Sequence, residues 1–219
     1  MGIESYSLAR DGEKKLSANF KVREFACKDG SNTIFVCDEL VQLLQNIRDH
    51  FNRPVTITSA YRTVTHNKKV GGSPKSQHLY GTAADWRTLD RSINPVALGI
   101  IAQSVGFGGI GIYWHSMGAF VHTDTRGGKA TWLCTTPGDY PSTSYSAFIM
   151  PTIKQGCTGA ANRSATIMLQ KLLKLKSDGS FGPGTAKAVM LAQEHYGLKV
   201  DGVCGPATWR AVSGANKYL

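Results

Sequence analysis

The sequence predicts an α+β protein with two domains. Strand-like and helical periods alternate up to about residue 134, which indicates a small antiparallel sheet flanked by helices. A stretch rich in Pro, Ser, Thr and Gly follows at 135–162 and has little periodicity, which is typical of a linker. Residues 163–219 contain helical stretches around an internal repeat, which predicts a small three-helix domain. We therefore expect domains at 1–134 and 163–219.

Composition limits the classes of function. The chain has 219 residues, 42% of them hydrophobic, and a formal net charge of +10. This charge favours an anionic partner, such as nucleic acid, a membrane surface or an acidic polymer like the bacterial cell wall. No stretch approaches the roughly 18 apolar residues of a membrane span, so we expect no membrane insertion. We expect no nucleic-acid binding, because the basic residues are scattered and form no recognition element.

The N-terminus and the cysteines bear on the compartment. Residues 1–23 lack the apolar core of a signal peptide, which predicts synthesis in the cytoplasm. The odd number of cysteines, five, fits a reducing cytosol. We interpret them mainly as buried small hydrophobic residues, and a Cys27–Cys37 disulfide stays open.

The first elements follow from local patterns. Residues 1–36 have the pattern of an irregular entry segment. Apolar residues at helical spacing then predict an amphipathic helix over 38–51, capped by Asp38. The β-branched alternation of Val55–Ser59 predicts a strand.

The middle of the chain carries the polar motifs. His78 is expected in or just after a loop, and 83–86 should enter a strand. Asn94 and Pro95 have the pattern of a helix start, and the apolar run to Val105 predicts a well-buried helix. Residues 106–111 match G-x-G-x-x-G by letter but follow a helix and precede a β-like run, so we interpret them as a glycine-rich turn.

The β-like run is predicted to form half of a hairpin. Strands at 110–114 and 120–122, joined by a turn at 116–118, would bring His122 beside His78 and Asp85. A catalytic zinc ion needs three protein ligands and an open position, and it accepts both imidazole and carboxylate. These three residues are therefore the candidate metal ligands.

The C-terminal repeat has the form Asp-Gly-x-x-Gly. It occurs at 178–182 and 201–205, each time followed by a threonine near the start of a helix. Each Asp-Gly predicts a tight turn, and each later glycine a left-handed residue before the helix. Asp178 and Asp201 are expected to be turn residues and not ligands.

This C-terminal part resembles the helical peptidoglycan-binding domain of many cell-wall hydrolases. The resemblance covers nearly the whole module, and its matching residues are Leu169-Gln170, Asp178-Gly179-x-Phe181-Gly182, Thr185, Ala188-Val189, Gly197-Leu198-x-Val200-Asp201-Gly202, Gly205 and Thr208-Trp209. It implies bacterial peptidoglycan as the partner.

Most of residues 18–133 resembles the zinc D-alanyl-D-alanine carboxypeptidase and L-alanyl-D-glutamate endopeptidase family, in its phage-endolysin-like branch. The matching residues are Ser59-Ala60-Tyr61-Arg62-Thr63, Asn67, Val70-Gly71-Gly72, Ser76-x-His78-x-x-Gly81-x-Ala83-x-Asp85, Gly109-Ile110-Gly111-x-Tyr113 and Phe120-Val121-His122-x-Asp124.

The resemblance implies roles for single residues. His78, Asp85 and His122 are the implied ligands of Zn²⁺, and Arg62 is implied to bind the substrate or its oxyanion. Ser76 and Tyr113 are implied substrate-binding residues.

The proton-transfer group is less directly implied. Many relatives place the catalytic base two or three residues before the last ligand, but here Phe120 and Ala119 occupy those positions. The branch that this chain resembles has His-x-Asp, which implies Asp124 as the favoured acid/base, and on a strand Asp124 would share a face with His122. Its alternative role is to orient His122, and His115 is a weaker alternative base.

Together these features predict a monomeric, endolysin-like zinc peptidase that cleaves the stem peptide or cross-link of peptidoglycan. We expect it to be made in the cytoplasm and released to the wall, as phage enzymes are. The bond cleaved is not predicted. One alternative is a non-catalytic wall-binding protein with a structural zinc.

Overall fold

The computed structural model describes residues 2–143 and 148–219, so 144–147 of the predicted linker lie outside the described residues. The seven α-helices of this part are α1 (Leu8–Asp11), α2 (Asp38–Phe51), α3 (Val64–Lys69), α4 (Pro95–Val105), α5 (Ala160–Leu172), α6 (Pro183–His195) and α7 (Pro206–Ser213). The strands are β1 (Ile3–Ser7), β2 (Thr33–Cys37), β3 (Val55–Ser59), β4 (Ala83–Thr88), β5 (Gly109–His115), β6 (Gly118–Asp124), β7 (Ala130–Cys134) and β8 (Ser142–Thr143). None of the described helices combines the length and apolarity that a bilayer crossing requires.

Two sheets organise the strands. β1 and β2 form an antiparallel pair, and the other strands form a six-stranded sheet in the order β3-β4-β6-β5-β7-β8. The chain divides into two compact units. Of the described residues, the first contains 2–93, 105–110 and 121–129, and the second contains 94–104, 111–120, 130–143 and 148–219. The mixed architecture with a C-terminal helical part is the predicted fold class.

The first unit contains a correction to the prediction. Residues 1–36 are not an irregular entry segment, because β1 pairs with β2 from Ile3↔Cys37 to Ser7↔Thr33. β1 is largely exposed and has no apolar alternation, so its pairing depends on a partner almost 30 residues away. Local patterns do not report such a contact.

Helix α2 has the predicted bounds and the predicted buried face. Its cap differs from the prediction, because Cys37 occupies the N-cap position and Asp38 is the first helical residue. A carboxylate there still stabilises the positive end of the helix. The helix ends where Asn52 adopts a left-handed conformation, with φ 46°.

The second unit begins with the buried helix α4. Asn94 caps it as predicted, since its Oδ1 accepts a hydrogen bond from the backbone N–H of Ala97 at 3.0 Å. The helix is buried from Pro95 to Ala102. The glycine-rich segment is shorter than predicted, because β5 already begins at Gly109.

The C-terminal helices show a repeat with three turns, where the sequence indicated two. Left-handed glycines occur at 156, 179 and 202, a constant interval of 23 residues, with φ of 78°, 76° and 71°. The later glycines at 159, 182 and 205 are the N-caps of α5, α6 and α7. Those at 182 and 205 are extended, with φ of −88° and −94°, so the left-handed residue predicted there lies three positions earlier.

A buried glutamine supports each of the two later turns. Gln170 Nε2 donates to Asp178 Oδ1 at 2.9 Å and its Oε1 accepts from Gly179 N at 2.9 Å. Gln193 makes the equivalent bonds to Asp201 at 3.0 Å and to Gly202 at 2.9 Å. The two aspartates are therefore turn residues, as predicted.

Candidate metal centre

Two neighbouring strands bring an aspartate and a histidine together. β4 and β6 are antiparallel, and Asp85 lies directly opposite His122 in their register. Opposed residues of an antiparallel pair project from the same face of the sheet. The pairing of β4 with β6, and not the predicted hairpin alone, thus places Asp85 Oδ1 2.9 Å from His122 Nδ1.

The third side chain comes from a short 3₁₀ helix, Gln77–Tyr80. His78 Nε2 lies 3.2 Å from Asp85 Oδ1 and 3.1 Å from His122 Nδ1. Gly81 ends this helix with φ 70°, and a Cβ there would overlap with the backbone carbonyl of Phe35 on β2. The helix therefore lies so close to β2 that only glycine fits at its end.

The imidazole ring of His78 is held by a hydrogen bond to the backbone. Its Nδ1 donates to the backbone carbonyl of Ala60 at 2.6 Å, so in the neutral ring Nε2 carries no proton. Burial lowers the pKa of His78, which favours this neutral form. Nε2 is therefore available as a ligand atom.

One potential ligand atom of each of the three residues lies within 4.8 Å of the others, and all three side chains are buried. One carboxylate oxygen and two imidazole nitrogens form a donor set that suits zinc. The residues present therefore fit a zinc ion. Three protein ligands, and not four, are typical of a catalytic zinc site, which keeps one position open.

Arg62 contacts the carboxylate of this cluster. Its Nη2 donates to Asp85 Oδ2 at 2.5 Å, and its Nε donates to Ser59 Oγ at 2.8 Å. The other oxygen, Oδ1, is the one that lies near both imidazoles. Burial alone raises the pKa of Asp85, but the two histidines outweigh burial and leave this pKa well below its usual value.

Asp124 lies on the far side of His122 and is completely buried. Its Oδ2 accepts a hydrogen bond from His122 Nε2 at 3.1 Å and one from Arg126 Nη2 at 2.6 Å. Its Oδ1 accepts from Arg126 Nε at 2.7 Å and from the backbone N–H of Arg126 at 3.1 Å. Although burial raises the pKa of Asp124, these donors hold it well below its usual value.

These contacts bear on the two roles predicted for Asp124. A carboxylate whose two oxygens each accept two hydrogen bonds must lose a donor before it accepts a proton. The contacts therefore favour the orienting role over that of the base.

The remaining predicted residues are not among the three side chains of this cluster. Ser76 is the N-cap of the 3₁₀ helix that contains His78. Tyr113 and His115 belong to the second unit. The Tyr113 ring stacks on Phe120 with centroids 4.4 Å apart, and its hydroxyl accepts a hydrogen bond from Trp132 Nε1 at 3.0 Å.

Sequence reasoning missed Arg126. A signal for it exists, because an aspartate often bonds the backbone N–H two residues later in a turn. Asp124 makes this bond to Arg126, which brings the guanidinium back over the carboxylate. The missed partner was thus local and visible in the order Asp-Thr-Arg.

The cysteines outside this centre form no disulfide. All five lie within the described residues and are free, including Cys27 and Cys37. The bridge left open by the sequence is therefore not formed in this structure.

Comparison with known proteins finds a similar family for each of two parts of the chain. Residues 18–124 match the Peptidase M15 family, and residues 159–212 match the peptidoglycan binding domain family. A segment of 34 residues is 47% identical to the zinc D-Ala-D-Ala carboxypeptidase of Streptomyces albus G. That segment is 16% of this chain and only 13% of the carboxypeptidase.

Proposed function

From an N-terminal Peptidase M15 domain and a C-terminal peptidoglycan-binding domain, we propose that this protein cleaves peptide bonds in peptidoglycan. The substrate is the stem peptide or the cross-link, and zinc is the cofactor. The observation that carries the proposal is the convergence of His78, Asp85 and His122 within the M15 domain. An endolysin-type role is the finer form of the proposal, and it rests on the resemblance of this domain to the phage branch.

Zinc would be held by His78 Nε2, Asp85 Oδ1 and His122 Nδ1, the atoms that face one another. When bound, zinc supplies Lewis acidity, which makes water nucleophilic near neutral pH and polarises the scissile carbonyl. The chain's own contribution is to orient these three atoms. The carbonyl of Ala60 fixes His78, Arg62 fixes Asp85, and Asp124 contacts His122.

Arg62 is proposed to have a second role toward the substrate. Its side chain is 16% exposed and adjoins the cluster through Asp85. A guanidinium has five N–H donors, and the contacts to Asp85 and Ser59 use two of them. A further donor directed at the developing oxyanion would contribute about 2.7–4 kcal/mol to transition-state stabilisation.

Ser76 and Tyr113 remain proposed substrate contacts. Ser76 adjoins the helix of His78, so a substrate at the metal centre would approach it. The Tyr113 ring offers a half-buried aromatic surface beside Phe120. Alanine at either position is expected to raise KM more than it lowers kcat, because these groups would bind ground state and transition state alike.

The C-terminal domain would hold the enzyme on its polymer. A tether raises the local concentration of the catalytic domain at an insoluble substrate without any new active-site contact. The net charge of +10 would add attraction to an anionic wall. A purely structural zinc is the weaker alternative, since structural sites are almost always closed by four protein ligands.

The test is digestion of purified peptidoglycan by the zinc-loaded protein and by His78→Ala. We expect new amino groups with the wild type only, loss of zinc with the variant, and sedimentation of both proteins with the polymer. Mass spectrometry of the products distinguishes release of free D-alanine from cleavage within the stem or cross-link. A zinc-loaded, folded wild type that releases no amino groups would refute the enzymatic function.

A further inference from the structure

The guanidinium of Arg126 clamps Asp124 in one orientation. The two side chains are joined by parallel hydrogen bonds of 2.7 and 2.6 Å, and the backbone N–H of Arg126 adds a third at 3.1 Å. Such a two-pronged pair fixes direction as well as distance. The carboxylate therefore presents Oδ2 toward His122 in a fixed geometry.

The backbone around Asp124 prevents the carboxylate from turning away. A Cβ on Gly109 would overlap with both carboxylate oxygens, so β5 passes directly against them. The backbone N–H of Gly108 also donates to the carbonyl of Asp124 at 3.0 Å.

The direction of Oδ2 decides which nitrogen of His122 carries the proton. A neutral imidazole has one N–H, and when Nε2 donates it to Asp124, Nδ1 carries only a lone pair. Nδ1 is the nitrogen that lies near Asp85 and His78. His78 shows the reverse arrangement, because its Nδ1 is occupied by Ala60 and its Nε2 faces the cluster.

We propose that Arg126 and Asp124 are positioning residues that hold His122 as its Nε2–H tautomer and so set the zinc affinity of the centre. The inference rests on the proposed zinc site, and it does not depend on which bond is cleaved. Outer carboxylates of this kind typically change metal affinity about 10–100-fold when mutated.

The wild-type protein provides the first test. ¹⁵N NMR of the zinc-loaded protein should show a protonated Nε2 and a metal-bound Nδ1 for His122, and the opposite pattern for His78. A His122 bound to zinc through Nε2 would overturn the proposal.

Variants provide the second test, with the zinc dissociation constant measured by competition with a chromophoric chelator. Asp124→Asn keeps the shape but can donate to Nε2, so we expect about 10–100-fold weaker zinc binding and a mixture of His122 tautomers. Gly109→Ala should displace the carboxylate without changing its charge and weaken binding in the same direction. Arg126→Lys should lose less affinity than Arg126→Ala.

Arg53→Ala is the matched control, since Arg53 pairs with Asp90 at 2.8 Å on an exposed surface. It should bind zinc as the wild type does. Unchanged affinity and an unchanged His122 tautomer in folded Asp124→Asn would refute the positioning role while leaving the zinc site intact. A folded wild type that binds no zinc would instead refute the zinc site, and with it this role.

Discussion

Replacing Gly81 by alanine, with Gly71→Ala as the comparison, distinguishes the effect of close packing at the metal centre from the strain of a left-handed backbone. Gly81 has φ 70°, and its Cβ would overlap with the carbonyl of Phe35. Gly71 has φ 71°, but a Cβ there meets nothing within 4 Å. The two substitutions therefore share the left-handed strain, and only Gly81→Ala adds a clash.

The magnitudes follow from this difference. A left-handed conformation costs a residue with a Cβ about 1–2 kcal/mol, which both variants lose. Forcing an extra methyl into a packed site adds about 1–3 kcal/mol, which only Gly81→Ala loses. Relief of the clash must move β2 or the 3₁₀ helix that contains His78, so zinc binding should weaken in Gly81→Ala alone.

The assay is urea denaturation of both variants without metal, followed by zinc competition on the folded proteins. Metal must be absent in the first step, because a bound ligand adds its own stabilisation. Equal losses of stability in the two variants, with equal zinc affinities, would refute the close packing of this helix against β2.

Three further predictions concern the rest of the chain. Gln170→Ala and Gln193→Ala should each lower the stability of the C-terminal helices by about 1–3 kcal/mol in thermal or urea unfolding, because each leaves a partly or fully buried turn N–H unpaired. Full stability in either variant would contradict the role of that glutamine. Iodoacetamide at neutral pH should modify the partly exposed Cys157 before Cys134, because the Cys134 thiol is buried and burial raises its pKa to about 11. Peptide mapping by mass spectrometry checks the order of labelling, and faster labelling of Cys134 would refute the prediction. The pKa of Asp90 is lowered to about 2, chiefly by a backbone hydrogen bond from the serine two residues later, so the folded pKa lies below the unfolded one. The ionised carboxylate therefore stabilises the fold fully above about pH 4, and this contribution disappears as the pH falls toward 2. The urea midpoint of Asp90→Asn should fall less over that range than that of the wild type.

Features that depend on local chemistry were predictable from the sequence. The cap of α4 requires only Asn94 and the following turn, and α2 follows from one apolar stripe. The candidate ligands were predictable because the spacing of His78 and Asp85, with His122 further along the chain, resembles the metal motif of a known family. Each of these features is defined by residues close together in the sequence or by a recognisable motif.

Features that depend on distant pairing were not predictable in the same way. β1 has little apolar surface, and only its partner β2 defines it as a strand. The opposition of Asp85 and His122 likewise depends on the register of β4 and β6, which periodicity alone does not set. The third repeat turn was missed because Gln155 stands where the other two turns have aspartate.

The direction in which Arg126→Ala changes the zinc affinity distinguishes an effect of the Arg126 charge from an effect of its hydrogen-bond geometry. Arg126 is a positive charge beside Asp124, and Asp124 contacts the proposed ligand His122. If charge dominated, Arg126→Ala would strengthen zinc binding, because it removes repulsion of a divalent cation.

If geometry dominates, the same variant weakens zinc binding, because the unclamped carboxylate no longer selects the Nε2–H tautomer. Lysine keeps the charge and loses the two-pronged contact. If charge dominates, Arg126→Ala therefore binds zinc more tightly than both Arg126→Lys and the wild type. If positioning dominates, the wild type binds zinc most tightly, Arg126→Lys less tightly and Arg126→Ala least tightly, and this is the order that we expect.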